Sequence, residues 1–207
     1  VATAVNARMQ NAGQSCIAAK RFLVHENIAG EFVAKFEVAI QNLKTGNPLD
    51  KETQIGSLAR VDLAEELELQ VQKSIQMGAK LIVGGNGKDA FYEPTILTNV
   101  TTEMPVFKEE TFGPVAAIIT FKTIEEAIKL SNQSEFGLGV SIFTQDIDFI
   151  KTKIPSFNEG AVFINEMVKS DPRLPFGGIK KSGYGRELAE GGIKEFVNVK
   201  TVVINTF

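Results

Sequence analysis

The chain has 207 residues, 43% of them hydrophobic, enough to bury one substantial core. Its formal net charge of −3, pI near 5.4 and scattered Lys and Arg exclude the basic stripe of a nucleic-acid binder and point instead to small-molecule ligands. No apolar run approaches the roughly 20 residues of a membrane helix, and a single cysteine can form neither an internal disulfide nor a Cys-rich metal site, a composition suited to a reducing cytoplasm.

Val1 to Gln10 reads as a helix, with Ala2, Val5 and Met9 at helical spacing and no capping residue ahead. Position 1 is therefore expected to be internal to a longer protein. Asn11-Ala12-Gly13-Gln14-Ser15-Cys16 is a polar, glycine-bearing turn that ends this helix and exposes the next few residues. Phe22 to His25 reads as a strand. Ile28, Phe32, Phe36 and Ile40, widened by Val33 and Leu43, mark an amphipathic helix stopped by Gly46-Asn47-Pro48.

Leu58 to Met77 is a second long helical segment, closed by Gly78 before the apolar run Leu81-Ile82-Val83 and the turn Gly84 to Gly87. Further strands are expected at Pro94 to Val100, Val115 to Phe121, Gly139 to Phe143 and Ala161 to Ile164, with helices at Ile124 to Leu130 and Ile147 to Ile154. Alternation of helices with strands as apolar as Val115-Ala116-Ala117-Ile118-Ile119 argues for an α/β fold, a mostly parallel twisted sheet with helices on both faces. Glu187 to Phe196 reads as helix, and Val199 to Ile204 as a terminal strand able to extend another subunit's sheet. The chain thus divides into a main α/β unit, 1–196, and a C-terminal oligomer-contact strand, 197–207.

A lone cysteine is usually a small buried hydrophobe. Cys16, however, sits on a polar turn after a helix, where a ligand can reach the thiol and local dipoles can favour the thiolate. Asn11 to Cys16 followed by Lys20-Arg21-Phe22 resembles the cysteine signature of the aldehyde dehydrogenase superfamily. Gly46-Asn47-Pro48-Leu49-Asp50, Glu93 to Leu97, Glu109 to Val115, Asn165-Glu166 and Pro175 to Gly183 follow in that family's order and cover almost the whole chain.

The resemblance implies that Cys16 attacks an aldehyde to give a thiohemiacetal, which loses hydride to NAD or NADP and leaves a thioester for water. The oxyanion would take a hydrogen bond from the cysteine's own N–H. It implies that Glu110, an acceptor-only carboxylate, receives the nicotinamide ribose hydroxyls, and that Phe112 packs at the same cofactor end. Without the resemblance, Glu110 is a solvated loop edge. Phe176 is by default a core aromatic and by resemblance a wall of the substrate tunnel, with Gly177 and Gly178 allowing close backbone approach. Asn165 either orients the active-site loop or caps a strand end. Glu187 is either a proton-relay acid or a helix-starting Glu favoured by the dipole. His25, the only histidine, reads as a surface or packing residue at a strand end.

Ser170-Asp171-Pro172-Arg173-Leu174 is similar to a segment of bacterial succinate-semialdehyde dehydrogenases. The similarity implies that Ser170, assisted by the guanidinium fork of Arg173, holds a substrate carboxylate; an exposed loop is the alternative. The resemblance places the water-activating glutamate and most of the dinucleotide site in an upstream domain of about 250 residues, so this chain alone is expected to turn over negligibly. A homo-oligomer, dimer or tetramer, is expected. Two other readings stay open: a CoA-acylating dehydrogenase, in which a thiol replaces water, and a non-catalytic binding or oligomerisation module.

Overall fold

A computed structural model describes residues 1–207. Helix α1 (Ala2–Met9) runs into the cysteine turn, and then come β1 (Arg21–His25), α2 (Glu26–Gln41), α3 (Val61–Gln76), β2 (Lys80–Val83), β3 (Gly87–Lys88), β4 (Phe91–Tyr92) and β5 (Thr95–Thr98). The short helix α4 (Pro105–Lys108) precedes β6 (Val115–Phe121), α5 (Ile124–Asn132), β7 (Phe136–Gly137), β8 (Val140–Ile142), α6 (Ile147–Lys153), β9 (Val162–Ile164), β10 (Ile179–Lys180) and α7 (Ala189–Lys194). No helix is long and apolar enough to cross a membrane.

The main sheet has the order β1-β6-β5-β2. β6 pairs parallel with both neighbours, in registers that place Phe22 beside Ile118 and Ile96 beside Ala116. Residues Val115 to Ile119 are all buried, as a strand covered on both faces requires. Side-chain alternation shows the two covers. Phe22 meets Phe32 and Phe36 with ring centroids 6.5 and 5.3 Å away, so α2 lies on that face. Its neighbour Arg21 points the other way, its guanidinium 5.2 Å from the Phe107 ring of α4.

Local chemistry explains the element boundaries. His25 ends β1 and caps α2, its Nδ1 accepting from the Asn27 N–H at 3.2 Å while its ring stands edge-on to Phe121. Thr123 caps α5 by accepting from the Glu126 N–H, and Asp146 caps α6 through the Phe149 N–H. α3 starts at Val61 rather than Leu58, because Arg60 is extended and the Leu58 N–H is taken by the Ala90 carbonyl at 2.7 Å.

The main sheet is mostly parallel, as expected, and β2 closes one edge antiparallel to β5 with a bulge between Leu81 and Val83. Two expectations are corrected. The strands do not all join one sheet, since β8 and β9 form a separate parallel pair. Glu187 does not begin a helix. It forms an antiparallel bridge with Phe176, and Leu188 at φ 63° breaks the backbone before α7, whose first residue Ala189 also has a positive φ of 50°. Residues 197–207 form no ladder within the chain, and Val199, Val202, Val203, Ile204 and Phe207 are exposed.

Candidate active site

The cysteine turn is built by an abrupt loss of helical geometry. After Met9, the backbone of Asn11, Ala12 and Gly13 has φ values of 50°, 53° and 76°, a left-handed run that only glycine adopts without cost. Gly13 is needed twice over: a Cβ there would lie 2.2 Å from the Gly113 carbonyl oxygen and 2.7 Å from Arg8 Nη2. The turn therefore docks backbone to backbone on the loop carrying Glu110 and Phe112. Asn11 Nδ2 donates to the Gln14 carbonyl, and Gln14 Oε1 receives the Ala59 N–H at 2.8 Å. Cys16 comes next, with its side chain exposed and free.

Three cations surround this junction. Arg8, fully buried, donates from Nη2 to the Gly13 carbonyl at 2.7 Å, while Nε and Nη1 have no partner in the chain. Burial pushes its guanidinium down to about 9, with the charge of Glu110 opposing. Arg21 donates from Nε to the Phe107 carbonyl at 2.6 Å and from Nη2 to that of Glu109 at 3.4 Å, fixing the loop from below. Burial lowers it also, against Glu110.

Lys20 is the third. Its ammonium lies 3.2 Å from Glu110 Oε1 and donates to the carbonyls of Ser15, Cys16 and Ala18 at 3.1, 3.3 and 3.2 Å. It also stands 5.7 Å from the Phe112 ring centroid, within cation–π range. Burial holds Lys20 below the usual lysine value, the charge of Arg8 adds to that, and Glu110 opposes both. The structure thus brings together Cys16, Glu110 and Phe112 through a lysine to which the sequence alone assigns no role.

Glu110 and Phe112 are exposed on the wall of a groove of about 450 Å³, with Leu63, Glu66, Leu67 and Gln70 of α3 opposite. Gln70 Nε2 holds Glu109 Oε2 at 3.0 Å, so the first acid of the pair is tied to α3 and the second faces Lys20. Glu110 thus lines the groove while Lys20 reaches its Oε1.

Phe176 lies elsewhere. It lines a second groove of about 430 Å³ with Phe163 and Ile164 of β9 and with Leu174. The first groove is built on α3 and the Glu110 loop, the second on β9 and the 169–175 loop. The two sides approach where Asn6 Nδ2 of α1 meets Met167 Sδ at 3.3 Å. The Pro175 to Gly183 motif is packed against β7 as its glycines suggest: a Cβ on Gly178 would lie 2.6 Å from Ser182 Cβ and 3.0 Å from the Gly137 carbonyl.

The remaining candidates are engaged in structure. Asn165 uses both ends of its amide on Thr144, accepting at 2.9 Å and donating at 2.8 Å, which is the strand-capping arrangement. Arg173 forms a two-point pair with Asp171, Nε to Oδ1 at 2.9 Å and Nη2 to Oδ2 at 2.6 Å, and this holds the Asp171 carboxyl far below its usual range. Ser170 is exposed beside it. The side chain of Glu187 is exposed, its backbone bound to Phe176.

Comparison with known proteins agrees along the length of the chain. The aldehyde dehydrogenase family profile matches residues 1–202. The chain is 49% identical over 205 residues to the NAD(P)+ succinate semialdehyde dehydrogenase Sad of Escherichia coli, covering 98% of this chain and 44% of that protein. It is 50% identical over 204 residues to a probable NADP+ succinate-semialdehyde dehydrogenase of Synechocystis sp., covering 97% and 45%. Among solved structures, succinate-semialdehyde dehydrogenase from Burkholderia pseudomallei superposes with a TM-score of 0.91 at 35% identity, over 94% of this chain and 41% of that one. The glyceraldehyde-3-phosphate dehydrogenase GapN of Methanocaldococcus jannaschii, complexed with NADP, gives 0.93 at 38% identity, over 99% and 45%. The chain spans less than half the length of the curated relatives it matches.

Proposed function

The chain belongs to the aldehyde dehydrogenase family, and we propose that it is the nucleophile-bearing part of an enzyme that oxidises an aldehyde to a carboxylic acid with NAD or NADP. The observation that carries this reading is the docking of the exposed Cys16 turn onto the Glu110 loop, with Lys20 between them. A thiolate there can add to an aldehyde carbon, forming a C–S bond and placing negative charge on the former carbonyl oxygen. The Cys16 N–H, which makes no hydrogen bond within the chain, is a donor for that oxyanion.

Glu110 and Phe112 fit the cofactor's ribose and nicotinamide end: an exposed, acceptor-only carboxylate and an aromatic face on the wall of one groove. When bound, the nicotinamide would accept the hydride lost as the thiohemiacetal becomes a Cys16 thioester. Attack of water on that thioester needs a general base, which we assign to residues upstream of this chain, together with the rest of the dinucleotide site.

We assign succinate semialdehyde as the aldehyde, a reading supported by the activities named for the relatives and by the Ser170 to Arg173 loop. Arg173 is held by Asp171, so a substrate carboxylate must share or displace that pair. Phe176 lines the apolar groove beside the loop. Asn165 and Glu187 act in this reading as supports of the two loops rather than as reacting groups. The exposed apolar residues of 197–207 are surface for subunit contact, consistent with a dimer or tetramer.

The test uses the full-length protein. Cofactor reduction at 340 nm should proceed with succinate semialdehyde and vanish in Cys16→Ala. An unchanged rate in Cys16→Ala would end the proposal. Equal kcat/KM for succinate semialdehyde and butanal would remove the carboxylate clamp while leaving the dehydrogenase in place.

A further inference from the structure

We infer that Lys20 is a positioning residue for the nucleophile, a role that rests on Cys16 being that nucleophile. A trans peptide sets its C=O and N–H antiparallel, and the chain has no cis peptide. The Ser15 carbonyl points to the Lys20 ammonium at 3.1 Å, so the N–H of the same peptide, that of Cys16, points away from it. The Cys16 carbonyl is held at 3.3 Å in the same way, which turns the Ile17 N–H outward as well. Neither N–H finds an acceptor in the chain. One cation thereby gathers carbonyls on its own side and presents two adjacent donors on the other, where the oxyanion of a Cys16 adduct forms.

The same ammonium fixes a second distance. Its contact with Glu110 Oε1 ties the nucleophile turn to the loop that lines the groove. A flexible four-carbon side chain holds this position because its head is enclosed: the side chain is 10% exposed, against 38% for that of Glu110. Arg8 and Arg21 brace the same two segments through Gly13, Phe107 and Glu109 but donate to no carbonyl of residues 15–18. Of the three cations only Lys20 reaches the peptide that carries the donor: it shares the Ser15 carbonyl with the Ala18 N–H, 3.1 Å away, and takes the Cys16 carbonyl by itself.

Two reactions of Cys16 in this chain separate positioning from mere structure. Acylation by p-nitrophenyl acetate passes through a tetrahedral oxyanion as the thiolate displaces p-nitrophenolate; alkylation by iodoacetamide displaces iodide without one. In Lys20→Met, acylation should slow about tenfold or more while alkylation changes less than about twofold, and Lys20→Arg should recover most of the difference. A Lys20→Met protein with the wild-type circular dichroism spectrum and equal changes in both reactions, or none, overturns the inference. Should Lys20→Met fail to fold, Lys20→Gln reads the same ratio. A wild-type Cys16 that acylates no faster than N-acetylcysteine at the same pH defeats the nucleophile reading itself, and that is seen before any variant is made.

Discussion

Phe176 and Glu187 exchange both of their backbone hydrogen bonds, each 2.8 Å long. The ring that lines the second groove and the exposed acid are thus fixed to each other by main chain, and the Glu187 side chain takes no part in holding them.

Glu187→Ala should therefore leave the unfolding free energy from urea titration within about 0.5 kcal/mol of wild type, as surface changes do. Glu187→Pro removes the donated N–H and should cost about 1–3 kcal/mol. Equal destabilisation by Ala and Pro would show that the carboxylate, not the bridge, does the holding.

Arg8 sets a second contrast. Its guanidinium is fully buried with two nitrogens unpaired, so an apolar chain of similar length gives up little. Arg8→Met should stay within about 1 kcal/mol of wild type, whereas Arg8→Ala, which leaves a cavity under the cysteine turn, should lose about 2–4 kcal/mol. Chemical denaturation of both variants decides it; a loss in Arg8→Met as large as in Arg8→Ala would mean that the Gly13 hydrogen bond dominates.

Two glycines should respond in opposite directions to alanine. At Gly13 the left-handed backbone and the Gly113 carbonyl 2.2 Å from a new Cβ make Gly13→Ala destabilising by about 2 kcal/mol or more. At Gly30, exposed within α2 with open space around a Cβ, Gly30→Ala should stabilise by about 0.5–1 kcal/mol. Melting temperatures moving the same way for both would contradict the geometry.

Asp171 gives a pH dependence of definite sign. Arg173 lowers its carboxyl below the unfolded value, so its contribution is fully present above about pH 4, where an unfolded aspartate is ionised, and is lost as pH falls through the lowered value. The difference in urea midpoint between wild type and Asp171→Asn should be larger at pH 7 than at pH 2. A difference that grows on acidification would reverse the assignment.

Sequence periodicity locates the elements because burial demands it: the α2 stripe of Phe32, Phe36 and Ile40, and the unbroken apolar run of β6, each have one physical solution, while Ile28 at the head of the stripe stays exposed. Ends are less legible. α3 starts late because Leu58 spends its N–H on Ala90, and α7 starts late because Leu188 takes a positive φ; both depend on partners distant in sequence or on a backbone break that side-chain identity does not announce.

By itself the sequence determined that Cys16 sits on a glycine-bearing turn after a helix and that Glu110 belongs to an ordered set of motifs. Only the tertiary structure decided that Lys20 joins them, that Arg8 is buried beneath, and that Phe176 faces a different groove. The reason is that local patterns report burial and backbone freedom along the chain, whereas a buried cation acquires its role from carbonyls and carboxylates that folding alone brings within about 3 Å.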